Sequence, residues 1–295
     1  MAQILNWGIA VILWAQHFSP ALDLPFKFFT FLGTEDFLLL AVPFVYWCIN
    51  RQYGARLIAL FLVSTYAVSY IKVVVNEPRP FTVDPRIKML DSVHDAAFPS
   101  GHTQGAVVVW GYLASAVKHR WFTILAIVMI VFIPLSRIYL GVHYPTDLLG
   151  GYVIGGLFLL GSIWFLEPIE AWLAKKGMWW QIGLTVLVTT LVLLVFPTHD
   201  DNGITEVALL CSVGIGLALE RRFLRFSTRG TPSSQVLRLL LGLLVLIGLR
   251  FGLSAAFSSL GAEMIFRFIR YMIIGLWFVV GAPWVFLKLK LVERE

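Results

Sequence analysis

Charge is scarce in this chain of 295 residues: Asp, Glu, Lys and Arg together make up 14% of it. A water-soluble domain of that length needs far more charged surface, so the scarcity excludes a soluble globular enzyme. Cysteine is scarcer still, with Cys48 and Cys211 the two present. Both lie in apolar runs, which rules out a disulfide framework and makes each a small packing residue. The N-terminus lacks the basic stretch and small-residue cleavage site of a signal peptide, so residues 2–19 read as a first membrane segment, crossing or lying in the interface. No internal repeat links the later apolar segments to the earlier ones. Acidic residues number 17 against 23 basic ones, a net charge of +6. The cations are scattered over loops and form no stripe, which argues against a nucleic-acid partner and suits basic cytoplasmic loops.

Apolar sequence is what the chain has in abundance, with 59% hydrophobic residues and a mean hydropathy of +0.82. The expected class is an all-α polytopic membrane protein. Its spans are predicted at 2–19, 37–49 (kinked by Pro43), 54–75, 103–116, 121–135 and from Asp147 to about 165. Four more follow at 179–196, 204–219, 236–251 and 271–287. Residues 25–33, rich in Phe and carrying Lys27, read as an interfacial helix. Two regions are therefore expected: a six-helix core over residues 1–170, and about four additional C-terminal transmembrane helices over 171–295. Gly151 with Gly155 and Gly248 with Gly252 read as close-packing pairs. Trp179 and Trp180 read as an aromatic belt, and Arg250, Glu263, Arg267 and Arg270 as interfacial residues.

The charges hardest to excuse in a membrane lie between Lys72 and Asp147, in three blocks at the ends of apolar runs. The first runs from Lys72 to Arg79-Pro80, the second is Pro99-Ser100-Gly101-His102, and the third runs from Ser136-Arg137 to His143 and Asp147. Two apolar segments separate the second block from the third, so an out-and-back hairpin returns them to one face. The first block joins them through a loop without crossing. Lys72, Arg79 and Arg137 supply three cations, two of them planar forks suited to phosphate oxygens. Ser100 reads as a helix N-cap whose free N–H groups favour an anion. His143 precedes Pro145, and Asp147 follows one turn later, the arrangement of an activated base or nucleophile. His102 has no acid partner in sequence and suits a general acid. The residues read as a phosphate clamp with two histidines in opposite roles. The loop over 81–98 carries Arg86, Lys88, Asp91, His94 and Asp95, which could contact a head group. A metal site on His94 with the two aspartates is the less favoured alternative to a solvated loop. Glu77, beside the cations, is ambiguous: a tether for Arg79 or Lys72, or a contact for substrate.

The patterns K-x6-R-P, P-S-G-H and S-R-x5-H-x3-D, in that order, resemble the type 2 phosphatidic acid phosphatase superfamily of lipid phosphate phosphatases. The resemblance covers roughly the first 170 residues. It implies a phosphoric monoester hydrolase that needs no metal or other cofactor and works through a phosphohistidine. In that scheme His143 attacks phosphorus, Asp147 orients it, and His102 protonates the departing alkoxide and then activates water. Lys72, Arg79, Ser100, Gly101 (through its amide) and Arg137 hold the phosphoryl oxygens. A weaker likeness, in Leu32-Gly33, Glu35, Phe37, Pro43, Trp47 and Arg56-Leu57, is to the sphingoid-base phosphate phosphatase branch, which also carries extra C-terminal helices. The Gly101 position departs from that branch, where a small hydroxyl residue is common. A single-chain lipid phosphate is the expected substrate. Phosphatidic acid, phosphatidylglycerol phosphate and a polyprenyl diphosphate stay open, as does transfer of the phosphoryl group to a second lipid. A non-enzymatic lipid-binding or transport protein is the rival from another class.

Placing the three blocks on one face leaves fourteen of the 23 Lys and Arg residues on the opposite face and nine with the blocks. The opposite face is then cytoplasmic. The blocks look outward from a plasma or inner membrane, or into a lumen. The expected partners are the bilayer and its lipid phosphate. The C-terminal helices are expected to serve as a homodimer surface, a lipid guide or a second function.

Overall fold

A computed structural model of the chain describes residues 2–195, 201–257 and 263–295, and these form helices and no strand. In order they are α1 (Ala2–Gln16), α2 (Asp23–Phe31), α3 (Glu35–Phe44), α4 (Arg51–Val75), α5 (Pro80–Val83), α6 (Gly101–Val117), α7 (Arg120–Tyr139), α8 (Pro145–Ala174), α9 (Met178–Val195), α10 (Asp201–Leu219), α11 (Pro232–Phe257), α12 (Glu263–Leu276) and α13 (Ala282–Lys288). The end expected for the seventh span at residue 196 lies outside the described residues.

Among the described residues, seven helical stretches are long and apolar enough to cross a membrane. Four of them, Met178–Val195, Asn202–Leu224, Pro232–Phe257 and Glu263–Lys288, are the C-terminal set. The chain is an integral, multi-pass membrane protein. Residues 25–33 were expected to lie apart as an interfacial helix. They fall largely in α2, which meets the stretch Glu35–Ile49 at a bend of 50°; only if the two are counted together is the pair apolar and long enough for an eighth span. α1 and α6, at 15 and 17 residues, are too short to be counted among these spans. Pro43 introduces a wider π turn over Val45–Ile49, closed by Asn50 N donating to Val45 O at 2.9 Å.

The chain forms two compact units, one of Met1–Leu38 with Ser64–Ile163 and one of Leu39–Val63 with Trp164–Glu295. In the first unit, Ala106 of α6 packs on Met129 and Ile133 of α7, with Phe29 and Leu32 against them. A second cluster joins Ile9 and Ile12 of α1 to Ile87, Ile138, Tyr144 and Leu148. Gly151 and Gly155 do what their spacing predicts. A Cβ at Gly151 would stand 2.6 Å from Ser100 O, and one at Gly155 would stand 2.9 Å from Val107 Cβ, so α8 lies directly on the start of α6.

The second unit corrects one expectation. Among the described residues no atom lies within 4 Å of a Cβ placed at Gly248 or Gly252, so the pair packs closely on none of them. Arg238, near the start of α11, is fully buried and donates to the carbonyls of Leu291, Thr228 and Arg229. A guanidinium with five donors suits a cluster of carbonyls that no helix satisfies. In the same unit Arg51 bridges Glu220 at 2.6 Å and Glu295 at 2.8 Å. Cys48 and Cys211 are buried free thiols.

Candidate functional site

The first unit brings the three polar blocks together, and each arrives by a local device that its sequence supplies. Lys72 occupies the last turn of α4. The helix stops at Asn76, which sits in the left-handed region at φ 46° and donates to Lys72 O at 2.8 Å. Pro78 and Pro80 have no N–H to continue it. Arg79, extended at φ −69° and ψ 148°, then caps the short α5. Ser100 caps α6, its hydroxyl accepting from Thr103 N at 3.3 Å. Its own N–H donates to Asp147 O at 3.0 Å, which ties the second block to the third.

The turn that delivers His143 depends on Gly141, at φ +77°. A Cβ there would stand 2.4 Å from Lys88 O, so neither the dihedral nor the space admits another residue. Pro145 then opens α8, and Asp147 follows in its first turn.

Within the site His143 is 2% exposed and Asp147 is not exposed at all. Asp147 Oδ2 lies 3.0 Å from His143 Nδ1 and accepts from Tyr144 N at 2.8 Å. On the other side of the ring, Nε2 lies 2.9 Å from Arg79 Nη1. A guanidinium can only donate, so Nε2 must be the lone-pair nitrogen and Nδ1 the protonated one. The hydrogen-bond network thus selects the tautomer with its lone pair turned toward the cations. Burial, then the charges of Arg79, Lys72 and Arg137, holds the His143 imidazole well below the usual histidine range. His102 belongs to the same electrostatic group: Arg137, Lys72 and Arg79 act on it, and it acts on His143. Its Nε2 is buried without a hydrogen-bond partner among the described residues.

The three cations are deeply placed, with side-chain exposures of 10% for Lys72, 6% for Arg79 and 1% for Arg137. Each is paired with a loop carboxylate. Asp95 bridges Lys72 at 3.0 Å and also binds Arg79, while Asp91 binds Arg137 at 2.5 Å. Arg137 also donates to the Thr30 hydroxyl. Burial raises the Asp95 carboxyl and the cations Lys72 and Arg79 lower it by more, so the net direction is down.

The pairing of these carboxylates is what sequence reasoning missed. Asp91 and Asp95 were placed over the pocket as head-group contacts, and Thr30 was not singled out. The aspartates face the cations and do not gather round His94, and among the described residues no group of three His, Cys, Asp or Glu could hold a metal ion. Glu77 lies beside the third block. Its side chain lies against Asp147 and its carbonyl accepts from Ala97 N at 2.8 Å. Gly101 has open space, with Val68 Cγ1 the nearest atom to a built Cβ at 3.8 Å, whereas a Cβ at Gly33 would meet Ile133 at 2.6 Å and His102 at 2.9 Å.

Residues 53–170 match the model of the PAP2 superfamily, and residues 204–294 match that of the PAP2 superfamily phosphatase transmembrane extension. The chain belongs to the PAP2 superfamily. Both parts of this PAP2 protein are thus matched, the unit with the polar blocks and most of the C-terminal helices. A Dictyostelium discoideum protein named probable sphingosine-1-phosphate phosphatase is 26% identical over 66% of this chain and 52% of its own length. A Sulfolobus acidocaldarius undecaprenyl-diphosphatase is 33% identical over 41% of this chain and 60% of its own. The PAP2 chain therefore spans between about half and three fifths of the length of these two relatives. The crystal structure of a PAP2-type phosphatidylglycerolphosphate phosphatase from Bacillus subtilis is similar at 25% identity, covering 57% of this chain and 89% of that one, with a TM-score of 0.49.

Proposed function

We propose that this protein is an integral-membrane phosphatase that hydrolyses a lipid phosphate monoester through a phosphohistidine, without a metal. The observation that carries the reading is the lone pair of His143 Nε2, buried among Lys72, Arg79 and Arg137 with Asp147 behind the ring. A phosphoryl group drawn to those cations meets a nucleophile already in the right tautomer.

In the first step Nε2 forms a bond to phosphorus as the bond from phosphorus to the alkoxide oxygen breaks. The leaving alkoxide takes a proton from His102, whose Nε2 is free of other partners. Asp147 stabilises the positive charge on the phosphorylated ring through Nδ1–H. In the second step a water loses a proton to His102 and attacks phosphorus. The nitrogen–phosphorus bond breaks, the lone pair returns to His143, and orthophosphate leaves. Lys72, Arg79, Arg137 and the start of α6 at Ser100 and Gly101 hold the phosphoryl oxygens throughout.

The substrate we favour is a single-chain lipid phosphate such as a sphingoid-base phosphate, supported by the name of the Dictyostelium relative and by a likeness that extends beyond the catalytic blocks. The Sulfolobus relative favours a polyprenyl diphosphate as the second reading. The catalytic face is assigned to the exterior or lumen by the distribution of basic loops.

The test is phosphate release by purified protein from a panel of sphingoid-base phosphate, phosphatidic acid, phosphatidylglycerol phosphate and polyprenyl diphosphate, with and without chelator. Release from the monoesters, unchanged in chelator and lost in His143→Ala, is expected. Release from no member of the panel, or chelator-sensitive release restored by a divalent ion, overturns the proposal.

A further inference from the structure

The cations of the phosphate clamp are already neutralised, and the groups that neutralise them come from one loop. Residues 84–98 run between α5 and α6, and the chain between Ile87 and Val93 is fastened at several points. Gln16 of α1 donates to Lys88 O at 2.7 Å and accepts from Lys88 N at 2.9 Å. Leu90 N donates to Leu140 O at 3.1 Å, and the Leu90 and Val93 side chains pack on Tyr139, Leu140 and Val142. Asp91 projects from this anchored strip onto Arg137, and Asp95, two residues beyond it, onto Lys72 and Arg79.

The two sides of these ion pairs are not equivalent. The cations are 1–10% exposed, whereas Asp95 and Asp91 are 37% and 34% exposed. The acids can therefore turn out into water, and the cations cannot. Backbone contacts also remain when the Asp95 carboxylate leaves, because Arg79 Nε donates to Asp95 O at 2.9 Å and Lys72 donates to Ala96 O at 2.5 Å.

We propose that the Asp95 and Asp91 carboxylates are resident anions of the phosphate clamp, standing where phosphoryl oxygens bind, and that substrate enters by displacing them. The inference rests on the reading of Lys72, Arg79 and Arg137 as the phosphate site. It makes the two aspartates determinants of charge specificity. Two carboxylates leave the three cations with a net single positive charge, so a group has to bring at least two negative charges to replace them favourably. A phosphomonoester meets that condition and a phosphodiester does not. The same return of the carboxylates helps orthophosphate leave after hydrolysis.

The experiment measures inhibition constants at pH 7.5 for orthophosphate and for a monoanionic dialkyl phosphate, on wild type, Asp95→Asn and Asp91→Asn. Removing one resident charge is expected to tighten orthophosphate by roughly tenfold, the equivalent of one charge-assisted hydrogen bond no longer competing. The dialkyl phosphate, weak on wild type, tightens in both variants. Asp91→Asn reads the same competition at Arg137 if Asp95→Asn does not fold. Unchanged or weakened binding of both inhibitors in a folded variant overturns the inference, because the aspartates would then be orienting the cations. A wild type that hydrolyses lipid phosphate but ignores orthophosphate up to 100 mM overturns it as well. Loss of hydrolysis across the whole substrate panel is the distinct failure of the underlying phosphatase reading.

Discussion

Replacing Asp147 by Asn separates the charge behind His143 from the geometry behind it. One oxygen, Oδ2, receives both His143 Nδ1 at 3.0 Å and Tyr144 N at 2.8 Å. An Asn can put its carbonyl oxygen at that position and its NH₂ at the other, where Oδ1 has no hydrogen-bond partner among the described residues. The tautomer and ring orientation are then kept, and what is lost is the negative charge facing the imidazolium that forms as Nε2 binds phosphorus. Two unit charges about 4 Å apart interact by roughly 4 kcal/mol at an effective dielectric constant of 20. The neutral amide oxygen recovers part of this, leaving a loss of about 2–4 kcal/mol, or roughly 30- to 1000-fold in kcat. The assay is phosphate release from a sphingoid-base phosphate in detergent micelles, with KM read separately. KM should stay within a few-fold, because Asp147 does not touch the phosphoryl oxygens. Asp147→Ala, which loses orientation too, should be slower than Asp147→Asn. A rate for Asp147→Asn within a few-fold of wild type would refute the charge argument. A rate as low as that of His143→Ala would refute the geometric one.

Further expectations follow from the same site. His143 is the nucleophile in its neutral form, and burial and the neighbouring cations hold its pKa below the ordinary histidine value. The acid limb of kcat/KM, after correction for the substrate phosphate, should therefore fall below about pH 6.5, and a limb at or above that value contradicts the burial argument. For stability the sign is the same: the neutral buried ring contributes fully above the unfolded-state pKa, and its contribution is lost as pH falls below it. His102→Ala should lower hydrolysis of an alkyl monoester by roughly 10²–10⁴ and that of a phenolic phosphate by much less. Equal losses on the two substrates would remove His102 from the role of general acid. Gly33→Ala should cost about 1–3 kcal/mol in a detergent thermal melt and displace His102, since its Cβ would overlap Ile133 and His102. Gly101→Ala, with open space around it, should melt within about 0.5 kcal/mol of wild type. The reverse order would show that the start of α6 is tighter than described.

Much of this architecture is legible in the sequence because a membrane makes charge informative. Lys72, Arg79, Arg137, His143 and Asp147 stand out against apolar neighbours, and the prolines and glycines beside them mark where helices stop. Gly151 and Gly155 are readable for a similar reason, since four-residue spacing of small residues lets helices approach. What stayed hidden depends on loops and on tertiary partners. Asp91 and Asp95 carry no periodic signal, and nothing in a polar loop tells which of its acids turns inward. Arg238 looks like any basic residue near a helix start, and its burial is set by the carbonyls of Thr228 and Arg229 just ahead of that helix and of Leu291 far along the chain. Gly248 and Gly252 have the spacing of a packing pair but no neighbour against them among the described residues, so the pattern alone misleads. The 50° bend between α2 and the stretch Glu35–Ile49 carries no signal in composition, since both sides of it are apolar.

The central claim is that a phosphoryl group rests on Nε2 of His143 between two displacements. The direct measurement is a rapid quench in alkali, where phosphohistidine survives, after mixing purified protein with substrate labelled in its phosphate, followed by mapping of the labelled peptide. The account predicts an acid-labile label on the peptide that contains His143, absent from His143→Ala and accumulating when His102 is replaced and a phenolic phosphate is used. Steady release of phosphate with no labelled protein, or a label on any other residue, would contradict it.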